Sequence, residues 1–235
     1  MFRALLLDFN GILLDDEPLH LELLNRILTE EGIPSIETSL EDIIGRTDQD
    51  FLTATLSAHD RAADPSLVMR LVIRKATYYQ EAVRRNGYSF FEGAQNLLQQ
   101  ARDAELAVGV VSGALRQEIE DALGQIGALD GIKFIISSED VERGKPDPEG
   151  YILGLNNLNS LSPLPTRLIH PHEVLAIEDT PAGLSAANDA GLFTVGIAHT
   201  FPEETLAQLA SATHPSLTDL DLEALEELYR RHSAS

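Results

Sequence analysis

The chain has 235 residues, enough to bury a sizeable hydrophobic centre as one large domain or as a core with a smaller companion. Its 17 basic residues face 38 acidic ones, a net charge of −21 that repels nucleic acid and anionic membranes, and no local basic patch overrides it. With no cysteine, the chain has no disulfide, thiolate nucleophile or thiolate zinc site, and it suits a reducing compartment. The apolar run that ends at Leu7 is too brief for a signal peptide, and no later run approaches a membrane span. The expectation is a soluble, cytoplasmic, monomeric protein.

Residues 5–9 form the first apolar run, and its continuity, with no alternation, predicts a strand covered on both faces. From about 16 to 88 the pattern is helical, with segments at 19–30, 40–44, 50–56 and 66–84; Leu19, Leu23, Ile27 and Leu28 show the helical spacing. A second buried strand is predicted at 107–112, followed by a helix at 115–123 and a third strand at 133–137. Asp147 and Pro148 start a helix at 149–158, after which 156–172 is a polar, proline-bearing stretch expected to be irregular and at the surface. A fourth strand at 174–177 leads through Thr180 and Pro181 into a helix at 182–190 that Gly191 stops, and a fifth strand follows at 193–197. This alternation predicts an α/β fold, a doubly wound parallel sheet. The interval from Phe9 to Ala107 far exceeds a crossover, so an all-helical unit is inserted there.

Four of these segments end apolar runs with chemistry-bearing residues, where open α/β sheets keep their sites. They are Asp8-Phe9-Asn10-Gly11, Val110-Val111-Ser112-Gly113, Gly144-Lys145-Pro146-Asp147-Pro148, and Glu178-Asp179-Thr180. Each has a plainer explanation on its own. Asp8 caps a turn, Ser112 caps the following helix, Lys145 is a solvated cation, and Glu178-Asp179 are anions at a helix start. Together they supply a carboxylate nucleophile, a hydroxyl, an ammonium and an acidic pair, and adjacent buried carboxylates are costly unless a cation pairs with them.

In residue types and in their order along the chain, this set resembles the haloacid dehalogenase (HAD) superfamily of aspartate-nucleophile phosphohydrolases. The opening signature, Asp-x-Asp-Gly with a further acid four residues on, is matched by Asp8, Gly11 and Asp15, with Asn10 replacing the second Asp. The stretch Asp15-Asp16-Glu17-Pro18-Leu19-His20 resembles the phosphoglycolate phosphatase and β-phosphoglucomutase-like members. The resemblance implies a Rossmann-like core at 1–15 and 89–235 and a helical cap at 16–88, with hinge strands at 15–19 and 87–92. It implies hydrolysis of a small phosphorylated metabolite through an aspartyl-phosphate on Asp8, with Asp8, Asn10, Ser112 and Lys145 as catalytic residues. Attack of Asp8 on a phosphate brings anion against anion, so a divalent cation must sit between them, and oxygen-only ligands suit Mg2+. Its ligands would be Asp8, Glu178, Asp179 and the main-chain carbonyl of Asn10. Substrate contacts are expected from Gly11, Gly113, Glu17, His20, Lys75, Arg46 and Thr47; for the basic residues and His20, a solvated or packed side chain is the alternative.

Asn10 cannot protonate a leaving alcohol or activate water, steps that are typically worth about 10²–10⁴-fold. The expected enzyme is therefore slow or selective for good leaving groups such as acyl and aryl phosphates, unless Asp15, Asp16, Glu17 or His20 substitutes. The alternative from another class is a catalytically weakened phosphate-ligand binder. A sugar-phosphate mutase is disfavoured because Asp48 stands where β-phosphoglucomutase carries its cap arginine. A phosphonate hydrolase lacks its lysine in the loop 45–50, and a metal-free dehalogenase leaves Glu178-Asp179 unexplained.

Overall fold

The computed structural model describes residues 1–34, 48–162 and 164–233. It divides into two compact units, Met1–Asp15 with Ser89–Ser235, and Asp16–Tyr88. The first unit is built on six parallel strands: β1 (Ala4–Leu7), β2 (Ala107–Val111), β3 (Ile132–Ile136), β4 (Val174–Glu178), β5 (Phe193–Ile197) and β6 (Ala212–His214), in the order β3-β2-β1-β4-β5-β6. Strand order reverses at β1, which pairs with β2 on one side and β4 on the other, Leu7 standing opposite Val110 and Ile177. That reversal opens a crevice beyond the carboxyl ends of β1, β2 and β4.

The helices of the second unit are α1 (Glu17–Glu30), α2 (Asp48–Ala58) and α3 (Pro65–Asn86). Those of the first are α4 (Ala94–Asp103), α5 (Arg116–Gln125), α6 (Glu149–Leu158), α7 (Pro181–Asp189), α8 (Glu203–Leu206) and α9 (Leu222–Ser233). Every residue of β1, β4 and β5 is buried, as continuous apolar runs require. Leu6 and Ala176 pack with Val111 and Ile136 against Tyr151 and Leu158 of α6 and Ala186 and Ala187 of α7. In the helical unit Leu24, Ile27 and Leu28 of α1 close on Leu52 and Leu56 of α2 and Val68 and Leu71 of α3. No helix among the described residues is long and apolar enough to cross a membrane.

Three expectations need correction. Residues 15–19 do not form a hinge strand: α1 already begins at Glu17 with a proline in its first turn, where the missing N–H costs nothing. Pairing there reduces to a single antiparallel bridge between Leu14 and Phe90 and the Asp15 N–H to Ser89 carbonyl bond of 2.9 Å. The helix after β2 starts at Arg116, capped by Leu115 without a side-chain bond, so Ser112 is not its N-cap and Gly113 lies outside its first turn. The sheet also has a sixth strand, β6, whose three residues Ala-Thr-His carry no apolar run to announce it. The expected helix at 40–44 lies outside the described residues.

Candidate active site

Asp8 follows directly on β1, where its N–H donates to the Ile177 carbonyl at 3.0 Å. The chain then turns tightly: the Phe9 carbonyl accepts from both Leu13 and Leu14, and the Gly11 N–H donates to the Leu14 carbonyl at 2.9 Å. Gly11 has φ +78°, and a Cβ there would lie 1.9 Å from Asp179 Oδ2. Only glycine satisfies both demands. Asp179 and its neighbour Glu178 close β4, respectively 2% and 0% exposed. Glu178 rests on the start of α7 in the same way, since a Cβ on Gly183 would meet its Oε2 at 2.0 Å.

Lys145 joins these groups from the loop before α6. Its ammonium lies 2.8 Å from Asp8 Oδ1 and 2.6 Å from Glu178 Oε1. Asp147 serves the same loop by accepting the Glu149 N–H at 3.0 Å, which anchors the start of α6. One turn into that helix the fully buried Tyr151 donates its hydroxyl to Glu178 Oε1. Oε1 is thus engaged twice, while Glu178 Oε2 and Asp179 Oδ1 are buried without a hydrogen-bond partner among the described residues.

The carboxylates of Asp8, Glu178 and Asp179 bring one oxygen each within 4.8 Å of one another. Three carboxylates against one ammonium leave a formal charge of −2 in a buried place. The titration behaviour reflects this. Burial, reinforced by the charge of Asp8, pushes Glu178 up to about 7 against the pull of Lys145. Burial and the charges of Asp8 and Glu178 likewise raise Asp179, which the Thr200 side chain opposes by a hydrogen bond. Burial works against the charge on Lys145, but Asp8 and Glu178 outweigh it and hold the ammonium well above its ordinary value. Tyr151 is raised by burial and by Glu178, so its phenol remains a donor. Two orphaned oxygens and an excess of negative charge fit a hard divalent cation with oxygen ligands.

The structure therefore gathers Asp8, Lys145, Glu178 and Asp179, with Gly11 as the surface against which Asp179 packs. Ser112 is buried at the end of β2, its Oγ accepting the Ala114 N–H at 3.1 Å, and Gly113 is exposed beside it. Asn10 bridges to Leu14 within the turn. Glu17, His20 and Lys75 belong to the helical unit. There His20 Nε2 lies 3.0 Å from Asp16 Oδ2, which also accepts the Tyr79 hydroxyl at 2.8 Å, and the His20 and Tyr79 rings stack at 4.8 Å. Lys75 is buried with its ammonium 2.5 Å from Asp48 Oδ1, so Asp48 already neutralises it. Arg46 and Thr47 lie outside the described residues. Sequence reasoning missed Tyr151, Gly183, His199 and Thr200; of these, Tyr151 alone carried a local signal, three residues past Pro148 on the helix that the lysine loop starts.

Residues 5–197 match the family model described as haloacid dehalogenase-like hydrolase, and the chain belongs to that family. It is 30% identical over 208 residues to the validoxylamine A 7'-phosphate phosphatase of Streptomyces hygroscopicus subsp. limoneus, covering 88% of this chain and 91% of that protein. It is 24% identical to the phosphorylated carbohydrates phosphatase of Thermotoga maritima, covering 84% and 86% respectively. Among solved structures, the β-phosphoglucomutase of Clostridium difficile shares the fold with a TM-score of 0.81 at 22% identity, covering 100% of both chains.

Proposed function

We propose that the chain is a magnesium-dependent phosphatase of a small phosphorylated metabolite, with Asp8 as nucleophile and with turnover limited by Asn10. The observation that carries this reading is the buried set Asp8, Lys145, Glu178 and Asp179, in which two carboxylate oxygens have no hydrogen-bond partner among the described residues. Asp8 Oδ1 is held by Lys145, which leaves its other oxygen to attack phosphorus; the phosphorus–oxygen bond to the leaving group breaks as the aspartyl-phosphate forms, the departing oxyanion takes its proton from water, and a water molecule then hydrolyses the aspartyl-phosphate to phosphate and the Asp8 carboxylate. Asp8, Glu178, Asp179 and the Asn10 carbonyl would hold Mg2+, which supplies charge neutralisation between nucleophile and substrate. Lys145 takes part of the phosphoryl charge, and Ser112 offers a hydroxyl to the same oxygens. Tyr151 keeps Glu178 turned so that Oε2 stays available.

Relatives that act on validoxylamine A 7'-phosphate and on phosphorylated carbohydrates support a polyhydroxylated phosphate monoester as the substrate class. A second reading, a phosphate-ligand binder with weakened turnover, is favoured by Asn10 alone. Phosphate release from a panel of sugar, cyclitol, aryl and acyl phosphates, with magnesium and with chelator, separates the two. Magnesium-dependent release supports the enzyme; binding of beryllium fluoride without turnover of any substrate supports the binder. Activity that chelator leaves untouched contradicts both.

A further inference from the structure

His199, in the exit loop of β5, has both ring nitrogens engaged by groups that admit only one role each. Its Nδ1 is 2.8 Å from the Gly11 carbonyl, which can only accept, and its Nε2 is 3.3 Å from the Leu217 N–H, which can only donate. The ring is therefore the neutral tautomer with the proton on Nδ1. Its face stacks on Phe91 at 3.9 Å and 13°, and the Phe91 N–H in turn donates to the Leu13 carbonyl at 3.1 Å. One side chain thus ties the turn after Asp8 to the segment that follows Ser89 and to the segment before α9.

The bond to Gly11 bears on the chemistry because of where Gly11 lies. Its Cα faces the Asp179 carboxylate so closely that a Cβ would meet Oδ2 at 1.9 Å, and its left-handed φ exists only while its two peptide planes keep their orientation. One plane is fixed by the Gly11 N–H to Leu14 bond, the other by His199. We propose that His199 is a positioning residue: by donating Nδ1–H to the Gly11 carbonyl it sets the turn that places Asp8 and the Asn10 carbonyl against Asp179. The part of this inference that concerns magnesium rests on the function proposed above, whereas the part that concerns the turn does not.

Three substitutions take the ring apart. His199→Asn puts an amide N–H where Nδ1 was and keeps donation to Gly11. His199→Gln moves the amide to the Nε2 position and loses that donation. His199→Phe keeps the stack and loses both bonds. Loss of one net hydrogen bond corresponds to about two- to tenfold in an equilibrium. Magnesium titration by calorimetry should show that Gln and Phe weaken binding by about that factor while Asn recovers most of it, and kcat for phosphate release should fall with KM little changed. Amide hydrogen exchange supplies a readout independent of metal and activity: protection at Gly11, Leu13 and Leu14 should drop in Phe and Gln and return in Asn. If wild type binds magnesium but all three variants bind it equally, with unchanged protection of the turn, the inference is overturned. If wild type binds no magnesium, the proposed function fails, and the exchange pattern alone then decides the positioning role.

Discussion

Magnesium should stabilise this protein far more at pH 8 than at pH 5. The perturbation is the removal of the cation from the buried pair Glu178 and Asp179. In the metal-free protein Glu178 titrates near 7, against 4.5 as its ordinary value, through burial and the charge of Asp8. A carboxyl whose folded pKa is raised stabilises the fold in full below its unfolded pKa, and that contribution is lost as pH rises through the folded one. The window thus runs from about 4.5 to 7, and at 1.36 kcal/mol per pH unit the loss amounts to about 3 kcal/mol. Asp179 is shifted in the same direction and adds to it. A cation between the carboxylates removes the penalty of ionising them. At roughly 2–4 °C per kcal/mol for a chain of this size, the gap in Tm between magnesium and chelator should widen by about 5–10 °C from pH 5 to pH 8. Paired thermal melts across that range measure it, with Glu178→Gln as the control in which most of the widening disappears. A gap that is constant with pH, or larger at pH 5, would refute the reasoning.

Gly183→Ala should lower magnesium affinity and Tm even though alanine is the better helix former by about 0.8–1 kcal/mol, because the new methyl collides with the Glu178 carboxylate; calorimetry and melts check it. Asn10→Asp should raise turnover of alkyl phosphates by about two to four decades and that of aryl or acyl phosphates by less, as steady-state kinetics on one substrate of each kind would show. Asp179→Ala should weaken magnesium binding while making the metal-free protein more stable at pH 8, and excess magnesium should restore part of the activity through Glu178; indifference of both activity and melting to this change counts against the ligand assignment.

Much of the parallel sheet was legible because its strands are apolar runs buried on both faces, each ended by a residue that such a run cannot tolerate without reason. Asp8 and Glu178-Asp179 stand out for that cause, and the structure brings their carboxylates together with the ammonium of Lys145 from the loop before α6. What escaped notice depends on contacts remote in sequence. His199 and Gly11 are 188 residues apart, and Tyr151 reads as an ordinary core aromatic until Glu178, 27 residues on, is seen to accept its hydroxyl. Lys75 shows the reverse case: it looked like a free cation, but its ammonium is spoken for by Asp48, 27 residues earlier on another helix. β6 has too few residues and too little apolar character for any periodicity to reveal it. The start of α5 was legible to within one residue, but its cap was not: Ser112 and Gly113 resemble a cap, whereas Leu115, which occupies the capping position, carries no capping side chain.

The central claim is that Asp8 takes the phosphoryl group. The most direct test is a rapid acid quench of the protein turning over an acyl or aryl phosphate with magnesium, followed by mass mapping, beside the purified, folded Asp8→Ala variant. A phosphoryl adduct should appear on the peptide that contains Asp8, and the variant should show neither adduct nor phosphate release. Undiminished phosphate release by Asp8→Ala would contradict the claim.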